Sequence, residues 1–141
     1  MTPLERAAED VHGRRWSELG FDGLLPFEKN HVGVFWLVAE VMNGGIEQFL
    51  YNSSGDLANY TREGLKAIGA VTTLALFEEA LAMIPCGYCE DGEERWRRLQ
   101  QLTDDAFRVV SDKLQNYPEE VERLSFDLLV REYREMGLLE A

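Results

Sequence analysis

The sequence predicts an all-α protein, a single compact bundle of about six to seven helices with a kink or break at Asn43–Gly45. Apolar residues recur at helical spacing along almost the whole chain, and no alternating apolar and polar run is bounded by turn signals as a strand would be. The chain has 141 residues, 45% of them hydrophobic, which suits one domain with its own core. We therefore expect one domain over residues 1–141.

The N-terminal segment, residues 1–25, is predicted to hold one helix and a loop. Thr2 can cap the helix, Pro3 suits its first turn, and Glu5 can complete a capping box with Thr2. We expect the helix to end near Gly20, because glycine is frequent just beyond the last turn of a helix.

The central segment, residues 26–84, begins with a helix near Pro26. This helix carries a wide apolar band, so we expect it to be buried in the middle of the bundle. Asn43-Gly44-Gly45 interrupts it, because each glycine costs about 1 kcal/mol relative to alanine inside a helix. We predict a break at this point, with Asn43 as the cap of the next helix.

Three further helices are predicted in the central segment, separated by turn residues. The first contains Phe49 and Tyr51 and ends at the turn Asn52–Asp56, the second starts near Leu57 and is closed by Gly69, and the third runs from Val71 to Pro85. The loop 85–92 then forms the clearest internal boundary of the domain.

The C-terminal segment, residues 93–141, is predicted to end with a helix opened by Pro118. This helix has apolar residues on two sides, so we expect it to pack on both. One side carries Val121, Leu124 and Leu128, and the other carries Phe126, Leu129, Val130 and Tyr133. We expect Trp16 and Trp36 in the core, whereas Trp96, beside Arg95, Arg97 and Arg98, fits either the core or the rim of an interface.

The chain is strongly acidic, with 26 Asp and Glu against 14 Lys and Arg and a net charge of -12. Such a surface repels nucleic acid and anionic membranes, so we expect neither as a partner. The longest stretch without a charged residue, Ala67–Phe77, is too short for a membrane-spanning helix, which needs about 20 apolar residues. The N-terminus lacks a basic region followed by an apolar run, so we expect no secretory signal and a cytoplasmic location.

Three short motifs in the central segment carry a family resemblance. They are an Asn-Gly-Gly step at Asn43–Ile46, a Phe-Tyr-Asn-Ser turn at Phe49–Ser53 and an Ile-Gly-Ala junction at Ile68–Ala70. On these residues the chain resembles the bacterial DNA mimic protein nineteen-type family, over a range of residues 20–135, although Ile46 stands where the family pattern has an aromatic. The hallmark residues are Asn43, Gly44, Gly45, Phe49, Tyr51, Asn52, Ser53 and Gly69.

The resemblance implies a small acidic helical protein. The family's named member binds a transcription regulator by presenting carboxylates where the regulator expects DNA phosphates. We therefore expect a non-enzymatic interaction protein whose partner is a basic protein, with a DNA-binding regulator as the first candidate. The contact candidates are carboxylates of the acid-rich C-terminal half: Glu90, Asp91, Glu93, Glu94, Asp104, Asp105, Glu119 and Glu120. Whether the protein is a homodimer is left open.

A metal site is an alternative that two Glu-x-x-His pairs support, because such pairs on neighbouring helices build di-iron carboxylate sites. The candidate ligands are Glu9, His12, Glu28 and His31, with Glu40 and Glu63 as further donors. Glu28 follows Pro26 in the first turn of its helix rather than in the middle of the bundle. We therefore expect these residues to make ordinary helix-end contacts and predict no metal or cofactor.

The remaining alternatives are a redox protein and an inhibitor of a basic toxin. Cys86-Gly87-Tyr88-Cys89 has the spacing of a redox pair or of half a zinc site, but no second pair completes it, so we expect reduced cysteines. The acidic surface would serve toxin inhibition as well as DNA mimicry. No nucleophile elbow, phosphate-binding loop or H-E-x-x-H motif is present, so the sequence does not indicate an enzyme.

Overall fold

Eight α-helices and two short 3₁₀ helices form the secondary structure of residues 1–139, the part of the chain that this computed structural model describes, and no strand occurs within that part. The α-helices are α1 (Pro3–Leu19), α2 (Pro26–Gly44), α3 (Ile46–Tyr51), α4 (Ala58–Ala67), α5 (Val71–Ala82), α6 (Gly92–Leu99), α7 (Arg108–Gln115) and α8 (Val121–Glu135), and the 3₁₀ helices are Phe21–Gly23 and Ser53–Leu57. The all-α prediction is confirmed. The helix count is slightly higher than predicted, because the C-terminal segment contains both α6 and α7.

Local capping explains the start of α1. The Thr2 hydroxyl accepts a hydrogen bond from the Glu5 backbone nitrogen (3.1 Å), and the Thr2 backbone nitrogen donates to Oε2 of Glu5 (2.9 Å). These bonds form the predicted capping box, which satisfies N–H groups that have no partner inside the helix. The predicted end of α1 is also confirmed, because Gly20 follows its last residue. At the other end of the chain, α8 begins at Val121 rather than at Pro118.

The predicted break between α2 and α3 lies at Gly45, which has a φ of +91°. A side chain rarely adopts this left-handed conformation, and glycine does so without a steric penalty. The prediction that Asn43 caps the next helix is wrong, because Asn43 lies inside the last turn of α2. Ser111 of α7 takes that role: its hydroxyl accepts the Ile46 backbone N–H at 3.0 Å.

Helix α2 lies at the centre of the fold and contacts α3, α4 and α8. Its packing on α4 is close, because a methyl group at Gly33 would lie 2.6 Å from the Thr61 backbone nitrogen. The main hydrophobic cluster surrounds α2 to α5 and α7, with Leu37, Phe49 and Phe77 among its buried members. The predicted central position of α2 is confirmed.

A second, smaller hydrophobic cluster joins α1 to α8. Its buried residues are Ala8, Val11, Phe126, Leu129, Val130 and Tyr133. The prediction that α8 packs on both sides holds more fully for one side than for the other. Val121 is buried, but Leu124 and Leu128 are only half-buried, so the side facing α1 and α2 carries most of the packing. None of the helices in the described part of the chain combines the length and the apolarity needed to cross a membrane.

Candidate functional site

The hallmark turn, which we define as residues 51–56, follows α3 directly. Tyr51, Asn52 and Ser53 are exposed, whereas Phe49 is fully buried in the core. The Ser54 hydroxyl donates a hydrogen bond to the Phe49 carbonyl oxygen at 2.9 Å, which ties the turn to α3. The turn is therefore anchored to α3, and the polar side chains of Tyr51, Asn52 and Ser53 are exposed to solvent.

Arg95 of α6 is buried against the hallmark turn, with 1% of its surface exposed. All five N–H groups that an arginine carries are used. They donate to the carbonyl oxygens of Leu50 (2.7 Å), Asn52 (3.1 Å), Cys89 (3.2 Å) and Glu90 (2.9 Å) and to Oδ1 of Asp56 (2.9 Å). Gly55 is required beside this group, because a methyl group there would lie 2.7 Å from Nε of Arg95. Arg95 thus joins α3, the hallmark turn and the loop before α6.

Tyr88 is a second support of the hallmark turn. Its hydroxyl donates to the Gly55 carbonyl oxygen at 2.6 Å. Burial, the largest cause, raises the pKa of Tyr88 to about 12, so the hydroxyl keeps its proton at neutral pH and remains a donor. The backbone of the turn is therefore held by one arginine and one tyrosine.

The buried position of Arg95 was not predicted, because in the sequence this arginine stands beside the charged residues Arg97 and Arg98. One local signal could have found it. Arg95 lies four residues before the buried Leu99 and so on the same face of α6, whereas Trp96 and Arg97 are exposed. A buried arginine needs several acceptors, and the sequence does not show that the hallmark turn supplies them.

A cleft with a volume of about 510 Å³ opens on one side of the hallmark turn. We call it the aromatic cleft. It is lined by Trp16, Phe21, Val32, Trp36, Glu40, Asn52, Ser53, Ser54, Asp56 and Leu57. The prediction that Trp16 and Trp36 belong to the core is wrong: each is 38% exposed, because both contribute to the wall of this cleft.

A second cleft, of about 610 Å³, adjoins the other side of the hallmark turn. It shares Asn52, Ser53 and Asp56 with the aromatic cleft, and its further lining residues are Tyr51, Gly92, Glu93, Arg95, Trp96 and Arg97. Trp96 is 51% exposed here, so it does not belong to the core. Two acids and two arginines line this second cleft, so its charges balance.

Three carboxylates, Glu40, Asp56 and Glu93, line the two clefts. Glu90 and Asp91 lie in the loop before α6, whose Cys89 and Glu90 carbonyls bind Arg95. Together with Asp104, in the segment after α6, we call these six carboxylates the acidic rim. Glu40 accepts a hydrogen bond from the Asn52 side chain at 2.8 Å. Burial and then the charge of the Asp104 carboxylate raise the pKa of Tyr51. Four members of the acidic rim were contact candidates from the sequence, whereas Glu40 and Asp56 were not.

The four predicted contact residues Glu90, Asp91, Glu93 and Glu94 lie together at the start of α6. The carboxylates of Asp91 and Glu94 already interact with other groups of the protein. Asp91 caps α6 by accepting the Glu94 backbone N–H at 2.9 Å. The carboxylate of Glu94 lies near two guanidinium groups, and hydrogen bonds from Arg97 and Arg98 lower its pKa.

The other four predicted contact residues occupy two further places. Asp104 and Asp105 lie in the exposed segment between α6 and α7. Glu119 and Glu120 lie before α8, where Glu119 accepts hydrogen bonds from the Thr73 backbone (2.6 Å), the Thr73 hydroxyl (2.6 Å) and the Thr72 backbone (3.1 Å). The nearest cation to Glu120 is Arg123, at 2.7 Å.

Three of the candidate metal ligands, His12, Glu28 and His31, form a buried hydrogen-bond network rather than ordinary helix-end contacts. Glu28 is 0% exposed, and both of its oxygens accept from Arg15 at 2.8 Å. The Tyr133 hydroxyl (2.6 Å) and the Leu25 backbone N–H (2.9 Å) donate to the same carboxylate. Burial opposes ionisation, but the bonds from Arg15, Tyr133 and Leu25 outweigh it and lower the pKa of Glu28 to about 2.

Histidines complete this network. His12 Nδ1 lies 3.3 Å from the Tyr133 hydroxyl, and His31 Nδ1 lies 2.7 Å from the Ser125 hydroxyl. The remaining proposed ligands are elsewhere: Glu9 is exposed, Glu40 bonds Asn52, and Glu63 pairs with Lys66. Across residues 1–139, no group of three His, Cys, Asp or Glu side chains could hold a metal ion. The di-iron hypothesis fails because arginine and tyrosine occupy the carboxylate that it needs.

Cys86 and Cys89 are free thiols in the loop before α6. The backbone of this loop is tied down, because the Cys86 carbonyl accepts from Arg98 (3.2 Å) and the Cys89 carbonyl from Arg95 (3.2 Å). The two residues thus have a structural role that does not require their sulfur atoms.

Comparison with known proteins gave one result. A family model described as DMP19-like protein matches residues 22–136. No curated protein and no solved structure gave a significant match. The match confirms the resemblance and contains every hallmark residue, but it begins after Trp16 and Phe21, two aromatic residues that line the aromatic cleft.

Proposed function

This chain belongs to the DMP19-like protein family, and we propose that it is an interaction protein whose surface carboxylates bind a basic protein in place of DNA phosphates. The partner that fits best is a DNA-binding regulator. The observation that carries the proposal is the acidic rim around the hallmark turn, where carboxylates are gathered on a rigid support beside two clefts.

The charges of the acidic rim are only partly neutralised by the protein's own cations. Asp56 and Glu93 each lie within 4.0 Å of an arginine nitrogen. Among the described residues, no lysine or arginine nitrogen lies that close to Glu40, Glu90, Asp91 or Asp104. A basic partner supplies the missing counterions, as it does when it binds the phosphates of DNA. The net charge of -12 adds a field that attracts such a partner from a distance.

Rigidity of the support favours recognition over simple charge attraction. The backbone carrying Asp56 is fixed by Arg95 and Tyr88, and Asp91 is fixed as the cap of α6. Carboxylates held in place lose little conformational freedom when they bind. A fixed arrangement of negative groups is what a protein that recognises the DNA backbone requires.

The proposal is tested by capturing partners from a host lysate on the immobilised protein at low salt. We expect a DNA-binding protein to be retained, to elute as salt rises, and to be released by added duplex DNA. Salt acts because surface charges are screened beyond about 8 Å at physiological ionic strength. Retention that is insensitive to salt, or a partner that DNA does not displace, contradicts DNA mimicry. A retained basic toxin would instead support the inhibitor alternative.

A charge-reversed variant locates the binding surface. Glu90→Lys, Glu93→Lys and Asp104→Lys change the acidic rim while sparing Asp91, which caps α6, and Asp56, which binds Arg95. Glu9→Lys, Glu79→Lys and Glu135→Lys form the matched control, since they give the same net charge and replace exposed acids on α1, α5 and α8. We expect the first variant to lose the partner and the control to retain it. Equal loss in both means that net charge alone causes retention.

A further inference from the structure

We propose that the aromatic cleft receives the side chain of one arginine from the basic partner. This inference rests on the proposed function and specifies how the partner is recognised. Carboxylates alone would attract any cationic surface, whereas a cleft with aromatic walls selects one kind of side chain.

The walls of the aromatic cleft suit a cation. Trp16, Phe21 and Trp36 come from α1, a 3₁₀ helix and α2, and they line the same space. The ring centroids of Trp16 and Phe21 lie 5.9 Å apart, so the two rings are in contact. Tryptophan has the most favourable ring face for a cation, and a desolvated cation gains more from it than an exposed one.

The charges of the aromatic cleft have one sign. Glu40 and Asp56 line it, and no lysine or arginine is among its lining residues. Each carboxylate has one oxygen engaged, Oε2 of Glu40 with Asn52 and Oδ1 of Asp56 with Arg95. The second oxygen of each carboxylate is available to accept a hydrogen bond from an incoming donor.

Lys29 shows that Phe21, one wall of the aromatic cleft, already accommodates a cation. Its ammonium nitrogen lies 5.6 Å from the Phe21 ring centroid and 5.8 Å from that of Tyr60. Lys29 is not among the residues that line the cleft. Within residues 1–139, no lysine or arginine lies over the ring of Trp16 or Trp36.

The geometry favours arginine over lysine. A guanidinium group is planar, stacks on indole rings and donates two parallel hydrogen bonds to a carboxylate. An ammonium group is more strongly hydrated and loses more on entering a cleft with aromatic walls. Arginine is also a side chain that DNA-binding proteins direct at phosphates, so a cleft for it lies within the chemistry of the proposed partner.

The test uses three short peptides, acetyl-Gly-X-Gly-amide with arginine, citrulline or lysine at X, titrated into ¹⁵N-labelled full-length protein. The indole N–H signals of the three tryptophans are assigned with Trp→Phe variants and followed by NMR. We expect the arginine peptide to shift the Trp16 and Trp36 signals saturably, the lysine peptide to shift them more weakly, and the uncharged citrulline peptide to leave them unchanged. Trp96 lies in the second cleft and serves as the internal reference.

A variant pair tests the role of the carboxylates. Glu40→Gln removes one charge from the aromatic cleft and is expected to weaken arginine-peptide binding about tenfold, as the loss of a hydrogen bond to a charged group does. Glu79→Gln removes the same charge from an exposed site on α5 and should leave the affinity unchanged. Unchanged ¹⁵N spectra away from the cleft verify that both variants are folded.

Several results would overturn the proposal: no shift at Trp16 and Trp36, equal shifts with citrulline or lysine, or a shift confined to Trp96. The peptide titration is independent of partner capture. If the regulator is captured but the arginine peptide does not enter the cleft, the proposed function stands and this inference fails. If the peptide binds while no basic protein is captured, the proposed function fails.

Discussion

Arg95 is buried where the hallmark turn, α3 and the loop before α6 meet, and its five N–H groups all have partners. Burial of an arginine is unfavourable unless such partners are present, so the surrounding backbone must be in place before the side chain is stable there. Arg95 thus makes the position of the acidic rim depend on the packing of α6.

Replacement of Arg95 by methionine is expected to lower the free energy of unfolding by about 3 kcal/mol. Methionine fills much of the space but leaves four carbonyl groups and Asp56 without their donor. Urea unfolding followed by circular dichroism measures the loss. The matched control is Arg97→Met, because Arg97 is exposed and should contribute little to stability. Equal midpoints for the two variants would show that the buried network does not stabilise the fold.

Helix α5 begins without a capping side chain of its own, and Glu119, which lies just before α8, supplies the acceptors from across the fold. Burial works against ionisation of Glu119, but hydrogen bonds from Thr73 and Thr72 lower its pKa. A carboxylate at the N-terminal end of a helix also interacts favourably with the helix dipole. Glu119 is one of the predicted contact residues, and its carboxylate is therefore already engaged by hydrogen bonds from Thr72 and Thr73.

We expect Glu119→Ala to lower the free energy of unfolding by about 1 kcal/mol, as the loss of an N-terminal cap does. Hydrogen exchange should accelerate at the amides of Thr72 and Thr73 in particular. Glu120→Ala is the comparison, because Glu120 is exposed and its ion pair is with Arg123, only three residues further along the chain. If protection at Thr72 and Thr73 is the same in both variants, Glu119 is not the cap of α5.

Over the whole molecule, the buried network of Glu28, His12, His31 and Tyr133 connects α1, α2 and α8. Burial and then the charge of His12 lower the pKa of His31 from 6.5 to about 3, and burial, its largest cause, also lowers that of His12. Folded molecules therefore keep both histidines neutral at pH values where unfolded chains protonate them.

The protein is expected to lose stability as pH falls below 6.5. Between pH 6.5 and about 3 the unfolded chain binds a proton at His31 that the folded protein does not, so acidification favours unfolding. For His31 alone, this proton uptake lowers the free energy of unfolding by about 2 kcal/mol at pH 5. Glu28 adds an effect of the same sign below its ordinary value of 4.5, because it stays ionised in the fold down to about pH 2.

Urea unfolding at pH 7, 6 and 5 checks this expectation. The midpoint should fall for the natural sequence and fall less for His31→Gln, which removes the titrating group. Glu79→Gln, on the exposed face of α5, should follow the natural sequence. A midpoint that stays constant between pH 7 and pH 5 would contradict the account of the buried histidines.

The helices were largely predictable because their signals are local. Thr2 and Glu5 are three residues apart, and Gly45 needs only its own backbone conformation to end α2. The site was less predictable, since its features depend on residues far apart in the chain. The acceptors of Arg95 lie up to 45 residues away, and Trp16 and Trp36 are exposed only because a cleft opens between their helices and the hallmark turn.

The aromatic cleft has no single structural unit of its own, since its lining comes from α1, α2 and both 3₁₀ helices. Fraying of α1 would remove Trp16, and release of the hallmark turn would remove Asp56. If either part is lost, the aromatic cleft is no longer formed. Occupancy of the cleft is consequently linked to folding: a bound guanidinium group raises the melting temperature by mass action, and the cleft reports whether distant parts of the chain have assembled.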